Sequence, residues 1–143
     1  MKIIVVGAGK VGYSVAKILS EEGHDITVID RDPETITHLS NELDVICVEG
    51  SATNHETLLG AGAAEADLLM AATQQDEVNM VCGITARKLG TKHVIARIRD
   101  TEYLRQAEFL REVLGLSITI NPEYECAKEI ARILRFPSAA RVD

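Results

Sequence analysis

The sequence predicts an α/β fold: a doubly wound, parallel six-stranded sheet with helices on both faces. Three observations carry this expectation. Short apolar runs rich in Val and Ile alternate with amphipathic helical segments along most of the 143 residues. Aromatics are only 3% of a chain that is 46% hydrophobic, so the core must be Val, Ile, Leu and Ala, as strands covered on both faces prefer. The first apolar run enters Gly7-Ala8-Gly9-Lys10-Val11-Gly12, a glycine turn that opens a helix, and the second ends at Asp30.

The elements follow in order. Lys2–Val6 is a strand, and Lys10–Glu22 a helix with Val11, Val15, Ile18 and Leu19 on one face. Asp25–Ile29 is the second strand. Asp32-Pro33 supplies an N-cap and a proline at the first helical position, opening a helix to Glu42. Asp44–Val48 is the third strand. Thr53-x-x-Glu56 has the form of a capping box for a short helix that stops before Gly60-Ala61-Gly62. Asp67–Ala72 is the fourth strand. Thr73-x-x-Asp76 caps a helix to Leu89, which Gly90 ends. His93–Arg97 is the fifth strand, Thr101–Leu114 a charged amphipathic helix, and Leu116–Ile120 the sixth strand. Asn121-Pro122 opens a last helix through Arg135, stopped by Pro137. The expected strand order is 3-2-1-4-5-6, which is Rossmann-like. One domain spans 1–135, and 136–143 reads as the start of a segment that the chain does not finish.

In such a sheet the ligand lies at the carboxyl ends of the strands, where the strand order reverses. That rule nominates Gly7–Gly12, Asp30-Arg31, the Gly50–Thr53 loop with Ser51, Ala52 and Thr53, and Ala72–Gln74 with Thr73 and Gln74. Gly7 allows the tight turn, Gly9 lets the backbone approach a pyrophosphate, and Gly12 lets the helix pack closely. The pyrophosphate sits at the helix N-terminus, where unpaired N–H groups and the dipole favour an anion. Asp30 accepts from a ribose hydroxyl pair and repels a 2′-phosphate, so NAD(H) or an adenosine nucleotide is expected rather than NADP(H). Arg97, at the end of the fifth strand, suits phosphate geometry. The bland alternative for Arg97 and Arg99 is a solvated pair offset by Asp100 and Glu102. For Thr73 it is simple helix capping.

Other classes are disfavoured. A net charge of −7 argues against a nucleic-acid binder. No apolar run approaches a membrane span, and no signal core precedes the glycine loop, so the chain is expected in the cytoplasm. Cys47, Cys82 and Cys126 have no metal or redox spacing and read as small buried hydrophobes. The histidines His24, His38, His55 and His93 have no metal-ligand spacing, and His55 reads as a first-turn helix residue. Tyr13-x-x-x-Lys17 imitates a short-chain dehydrogenase pair, but it lies on the wrong helix. No substrate-side acid or base is found, so no catalytic residue is expected. The helices with Leu104, Ala107, Phe109, Leu110 and Leu114, and with Ala127, Ile130, Ala131, Ile133 and Leu134, either cover the sheet or face another copy.

Several segments together resemble a known family. They are Met1–Gly12, Asp25–Asp30, Glu49–Thr53, Ala66–Thr73 with Asp76-Glu77-Val78-Asn79-Met80, Ile95–Arg99, Ile120–Glu123 and the stretch to Arg135-Phe136-Pro137. They are similar to the TrkA N-terminal (KTN or RCK) domains that regulate potassium transport. The resemblance implies NAD(H), with ATP or ADP in relatives, bound as effector rather than reactant. It implies a homodimer assembling into a ring at the cytoplasmic face of a membrane potassium-translocating subunit, which the ring gates. The ligand residues carried over are Gly7 to Gly12, Asp30, Gly50–Thr53, Thr73-Gln74 and Arg97. Ser51 departs from the pattern, since many relatives carry an acid there, and the choice between NAD and ATP stays open. The runner-up is a small NAD-dependent oxidoreductase fragment; a static nucleotide-binding module is a third reading.

Overall fold

The computed structural model describes residues 1–135. Among them strands and helices alternate: β1 (Lys2–Val6), α1 (Lys10–Glu21), β2 (Asp25–Asp30), α2 (Pro33–Glu42), β3 (Ile46–Glu49), α3 (His55–Gly60), β4 (Leu68–Ala71), α4 (Asp76–Leu89), β5 (His93–Arg97), α5 (Thr101–Arg105), α6 (Ala107–Leu114), β6 (Ser117–Thr119) and α7 (Pro122–Arg135). The sheet order is β3-β2-β1-β4-β5-β6, as expected. Every neighbouring pair is parallel. The order reverses at β1 and β4, and this opens a crevice at their carboxyl ends.

The sheet is buried on both faces. Ile3, Val5, Val28, Leu68 and Met70 meet Val15 and Leu19 of α1, Leu39 of α2, and Cys126 and Ile130 of α7. Ile4, Val6, Leu69 and Ala71 meet Leu58 of α3 and Cys82 and Ala86 of α4. A strand packed on both faces is a continuous apolar run rather than an alternating one, which is how β1 and β4 read in sequence. Burial pushes the Cys82 and Cys126 thiols up to about 12, so both are inert hydrophobes. Cys47, on the edge strand β3, is only half-buried. Among the described residues no helix is long and apolar enough to cross a membrane.

Three helix caps form as expected. Asp32 accepts from the Glu34 N–H at 3.0 Å, with Pro33 first in its helix. Asn121 accepts from the Tyr124 N–H at 3.2 Å. Gly90 ends α4 at φ +129°. Other details differ. Asn54, not Thr53, caps α3, accepting from the Glu56 N–H at 2.8 Å. The Thr53 hydroxyl is held instead by that of Ser51, 2.8 Å away, so the anticipated capping box does not form. The helix expected over Thr101–Leu114 is interrupted at Gln106 (φ −112°, ψ 30°), giving α5 and α6. Strand β3 begins at Ile46, because β2 pairs with it only from Thr27 onward. Ile18 is 47% exposed: it sits on the shoulder of α1 beside α7 rather than over the sheet. The expected stop at Pro137 and the tail 136–143 lie outside the described residues.

Gly12 ties the first helix to the sheet. A Cβ there would overlap the Gly7 carbonyl, so no side chain fits between α1 and the turn leaving β1. Alanine inside a helix ordinarily stabilises by about 0.5–1 kcal/mol relative to glycine. Gly12→Ala is expected to reverse that sign and cost about 2 kcal/mol through overpacking, read as a lowered denaturant midpoint.

Two histidines give the fold a pH dependence. Burial lowers the His24 pKa below its usual 6.5; the neighbouring chain-terminal ammonium lowers it further, and Glu22 opposes both. Burial also lowers His93, aided by Arg132 and Arg87 and opposed by Glu129 and Asp67. A histidine with a lowered folded pKa binds its proton more readily when unfolded. The stability it contributes is therefore complete above about pH 6.5 and is lost as pH falls through the folded pKa. Thermal unfolding followed from pH 7.5 downward should show this loss, and His93→Gln should flatten part of it.

Candidate nucleotide-binding cleft

The loops after β1, β2, β3, β4 and β5 enclose one cleft of about 700 Å³. The glycine loop supplies Gly7, Ala8, Gly9, Lys10 and Val11; the end of β2 supplies Asp30 and Arg31; the loop after β3 supplies Ser51, Ala52 and Thr53. Thr73 and Gln74 follow β4, and Arg97 closes β5. Of the residues nominated from the sequence, Gly12 does not line the cleft and lies behind it. Gly50 and Ala72 of the nominated loops line it too, as do Val6, Ile29, Asp32, Thr35, Gln75 and Val78, which the sequence did not single out.

The glycine loop is an anion cradle in its geometry. Gly7 takes φ +92°, and a Cβ there would lie 3.0 Å from the Thr73 nitrogen, so the turn requires glycine. A Cβ on Gly9 would meet nothing within 4 Å, which leaves the backbone open to the cleft. The Gly7 N–H donates to the Ile29 carbonyl at 2.8 Å. The Ala8 N–H donates to Asp30 Oδ2 at 2.7 Å. Among the described residues, the N–H groups of Gly9, Lys10, Val11 and Gly12 find no acceptor. No side chain caps α1, and its first turn carries no acid. The first turns of the other six helices each hold at least one: Glu34, Glu56, Asp76, Glu102, Glu108 and Glu123 among them. The first turn of α1 thus carries no compensating charge of its own, and Asp30 bonds only the Ala8 N–H ahead of it.

Asp30 braces this loop. Besides accepting from Ala8, it accepts at Oδ1 from the Asp32 N–H at 2.9 Å. An ionised carboxylate accepts about four hydrogen bonds, so about two remain for ribose hydroxyls. These features fit a nucleotide: donors at the helix end for phosphate, open space at Gly9, and a carboxylate with spare acceptors.

The opposite wall is built differently. Asn79, on α4, is fully buried. Its Oδ1 accepts from the Thr73 N–H at 2.9 Å and from the Thr73 hydroxyl at 2.7 Å. Its Nδ2 donates to the carbonyls of Thr73 at 3.1 Å and Arg97 at 2.8 Å. Asp76, 9% exposed, accepts from the Arg99 N–H at 3.1 Å and the Asp100 N–H at 2.8 Å. Arg99 in turn donates to the Gln74 carbonyl at 2.9 Å. Thr73 therefore does not cap α4, which begins at Asp76, and its N–H and hydroxyl proton are both committed to Asn79. Arg99 is exposed, but it pairs with neither Asp100 nor Glu102; it secures the loop after β4 through the Gln74 carbonyl. Arg97 faces the cleft, and burial, with Arg99 nearby, lowers its pKa while Asp76 raises it.

Asp76 and Asn79 were legible only as a family motif and a helix start. The physical signal was present: two polar side chains three residues apart on the buried side of a helix need internal partners. Tyr13 donates to Glu42 Oε1 at 3.2 Å and stacks on His38 with ring centroids 6.3 Å apart, so it faces α2 rather than the cleft. His55 is the first residue of α3.

A parallel sheet in this order, with its cleft at the strand carboxyl ends, defines a Rossmann-type domain by its architecture. The chain belongs to the TrkA-N domain family, which it matches over residues 3–122. It is 38% identical over 142 residues to the Trk system potassium uptake protein TrkA homolog of Archaeoglobus fulgidus, covering 99% of this chain and 32% of that protein. It is 40% identical over 145 residues to Trk system potassium uptake protein TrkA of Haemophilus influenzae, with the same coverage of both. The chain thus spans about a third of the length of these curated relatives. Among solved structures, the GsuK channel bound to NAD superposes with a TM-score of 0.71 at 22% identity, covering 83% of this chain and 21% of that one. The Shewanella denitrificans Kef CTD in its AMP-bound form superposes with a TM-score of 0.67 at 21% identity, covering 99% and 86%.

Removing Asp76 should loosen the loop after β5. Asp76→Ala leaves the Arg99 and Asp100 N–H groups without their charged acceptor. It is expected to cost about 2–3 kcal/mol of stability by chemical denaturation.

Proposed function

We propose that this chain is the nucleotide-binding regulatory domain of a potassium-uptake system. NAD(H), or ATP or ADP, acts in the cleft as an effector, and the occupied domain gates a membrane potassium-translocating subunit. The observation that carries the reading is the first turn of α1: four N–H donors without acceptors and no acid, in a chain whose other helices each have one. Such a turn accepts an external anion. The pyrophosphate lies on Gly9–Val11, the adenosine ribose on Asp30, and the rest of the ligand over Thr73, Gln74 and Arg97. Ser51, Ala52 and Thr53 border the adenine, and Lys10 and Arg31 flank the charged groups. The family and the named relatives support the potassium link.

The domain works as a homodimer within a larger ring at the cytoplasmic face of the membrane. Because the ligand touches both halves of the sheet, ring conformations that set those halves differently bind it with different affinity. A ligand shifts their populations by that difference alone. No turnover is part of this reading. On the β4–β5 side the one cleft-lining hydroxyl, Thr73, has its proton bound to Asn79, and no acid or base stands there among the described residues.

Titration calorimetry with NADH, NAD⁺, NADPH, ATP and ADP tests the proposal. NADH or an adenine nucleotide should bind without turnover, and NADPH should bind at least about tenfold more weakly than NADH because Asp30 faces its 2′-phosphate. Asp30→Ala should weaken NADH at least about tenfold. Absence of binding by every nucleotide would overturn the reading.

A further inference from the structure

We infer that Asn79 is a positioning residue that builds the second half of the cleft, and that it acts on the part of a dinucleotide beyond the ADP moiety. The inference rests on the nucleotide reading above. Asn79 touches no cleft space itself; it lies fully buried behind Thr73. Its four hydrogen bonds use the whole amide: two accepted from Thr73, two donated to the carbonyls of Thr73 and Arg97. One side chain thereby fixes the ends of two neighbouring strands to each other. These two ends, β4 and β5, present Thr73, Gln74 and Arg97 to the cleft.

Two consequences follow from the donor count. Thr73 has neither its N–H nor its hydroxyl proton to give, so the ligand meets Thr73 as a surface and not as a donor. Arg97 is the cation on this wall, and its backbone is set by Asn79 through the carbonyl bond of 2.8 Å. The other half of the cleft makes no hydrogen bond to Asn79, although Gly7 packs against the Thr73 backbone. The glycine loop is braced by Asp30, which bonds Ala8 and Asp32 and touches neither Thr73 nor Asn79. ADP uses the Asp30 side and the α1 N-terminus; NADH uses both halves.

The test compares NADH with ADP on the folded chain. Asn79→Ser removes both amide donors. Thr73→Val keeps the shape of Thr73 and removes its hydroxyl bond to Asn79, together with the weaker 3.2 Å contacts of that hydroxyl to Gln75, while the Thr73 N–H bond to Asn79 remains, so it stays informative if Asn79→Ser does not fold. Calorimetry should show NADH binding reduced at least about tenfold in Asn79→Ser and less in Thr73→Val, with ADP unchanged within about twofold in both. Hydrogen exchange at the Thr73 amide should accelerate in the ligand-free Asn79→Ser variant. A merely structural role predicts parallel loss of NADH and ADP, and that result, or no change in either, would overturn the inference. Wild-type chain binding NADH no better than ADP would overturn it while leaving the nucleotide reading intact. Binding of neither would remove both.

Discussion

A helix that starts with neither a capping side chain nor an acid in its first turn leaves its N–H groups and dipole uncompensated. That condition at α1 governs the site, and it depends on packing as much as on electrostatics. Gly12 brings the helix so close to the turn after β1 that its axis points its first N–H groups into the crevice. A side chain at that position would lift the helix away from the strand. The glycine at position 9 then leaves the backbone uncovered. Close approach and open charge are two results of the same three glycines.

The two walls of the cleft are secured by different means. On the β2 side a single partly exposed carboxylate does the bracing: Asp30 reaches Ala8 and Asp32, and the strand end and the glycine loop hold each other. On the β4 side the bracing comes from buried polar groups of α4. Asn79 and Asp76 gather the loops after β4 and β5 into one unit, and Arg99 closes it onto Gln74. Buried polar networks of this kind hold a single arrangement firmly when every member is satisfied. Among the described residues no buried side-chain polar atom lacks a partner.

The strand order and the face assignments could be read from the chain because they follow from local patterns: apolar runs, caps such as Asp32 and Asn121, and a glycine turn in its strand-helix setting. The lining of the cleft was legible for the same reason, since it consists of loops at known ends of known strands. What could not be read was how donors and acceptors are shared. Thr73 looked like a cap because it precedes a helix. Its actual partner is Asn79, and Asn79 reaches a carbonyl eighteen residues further on. Thr53 looked like half of a capping box, yet a neighbouring asparagine at position 54 with a better placed oxygen took that role. The break at Gln106 has no glycine or proline to announce it. For Thr73 and Thr53 a competing hydrogen-bond partner, visible only in three dimensions, decided the outcome.

β1 lies at the middle of the sheet. β1 pairs with β2 on one side and with β4 on the other. The glycine loop and Asp30 belong to the half of the sheet built from β1, β2 and β3, and Thr73 and Arg97 to the half built from β4, β5 and β6. Within the sheet the two halves meet at the β1–β4 pairing. A molecule lying across the two walls spans that seam. Unfastening the two halves requires the β1–β4 seam to part beneath it.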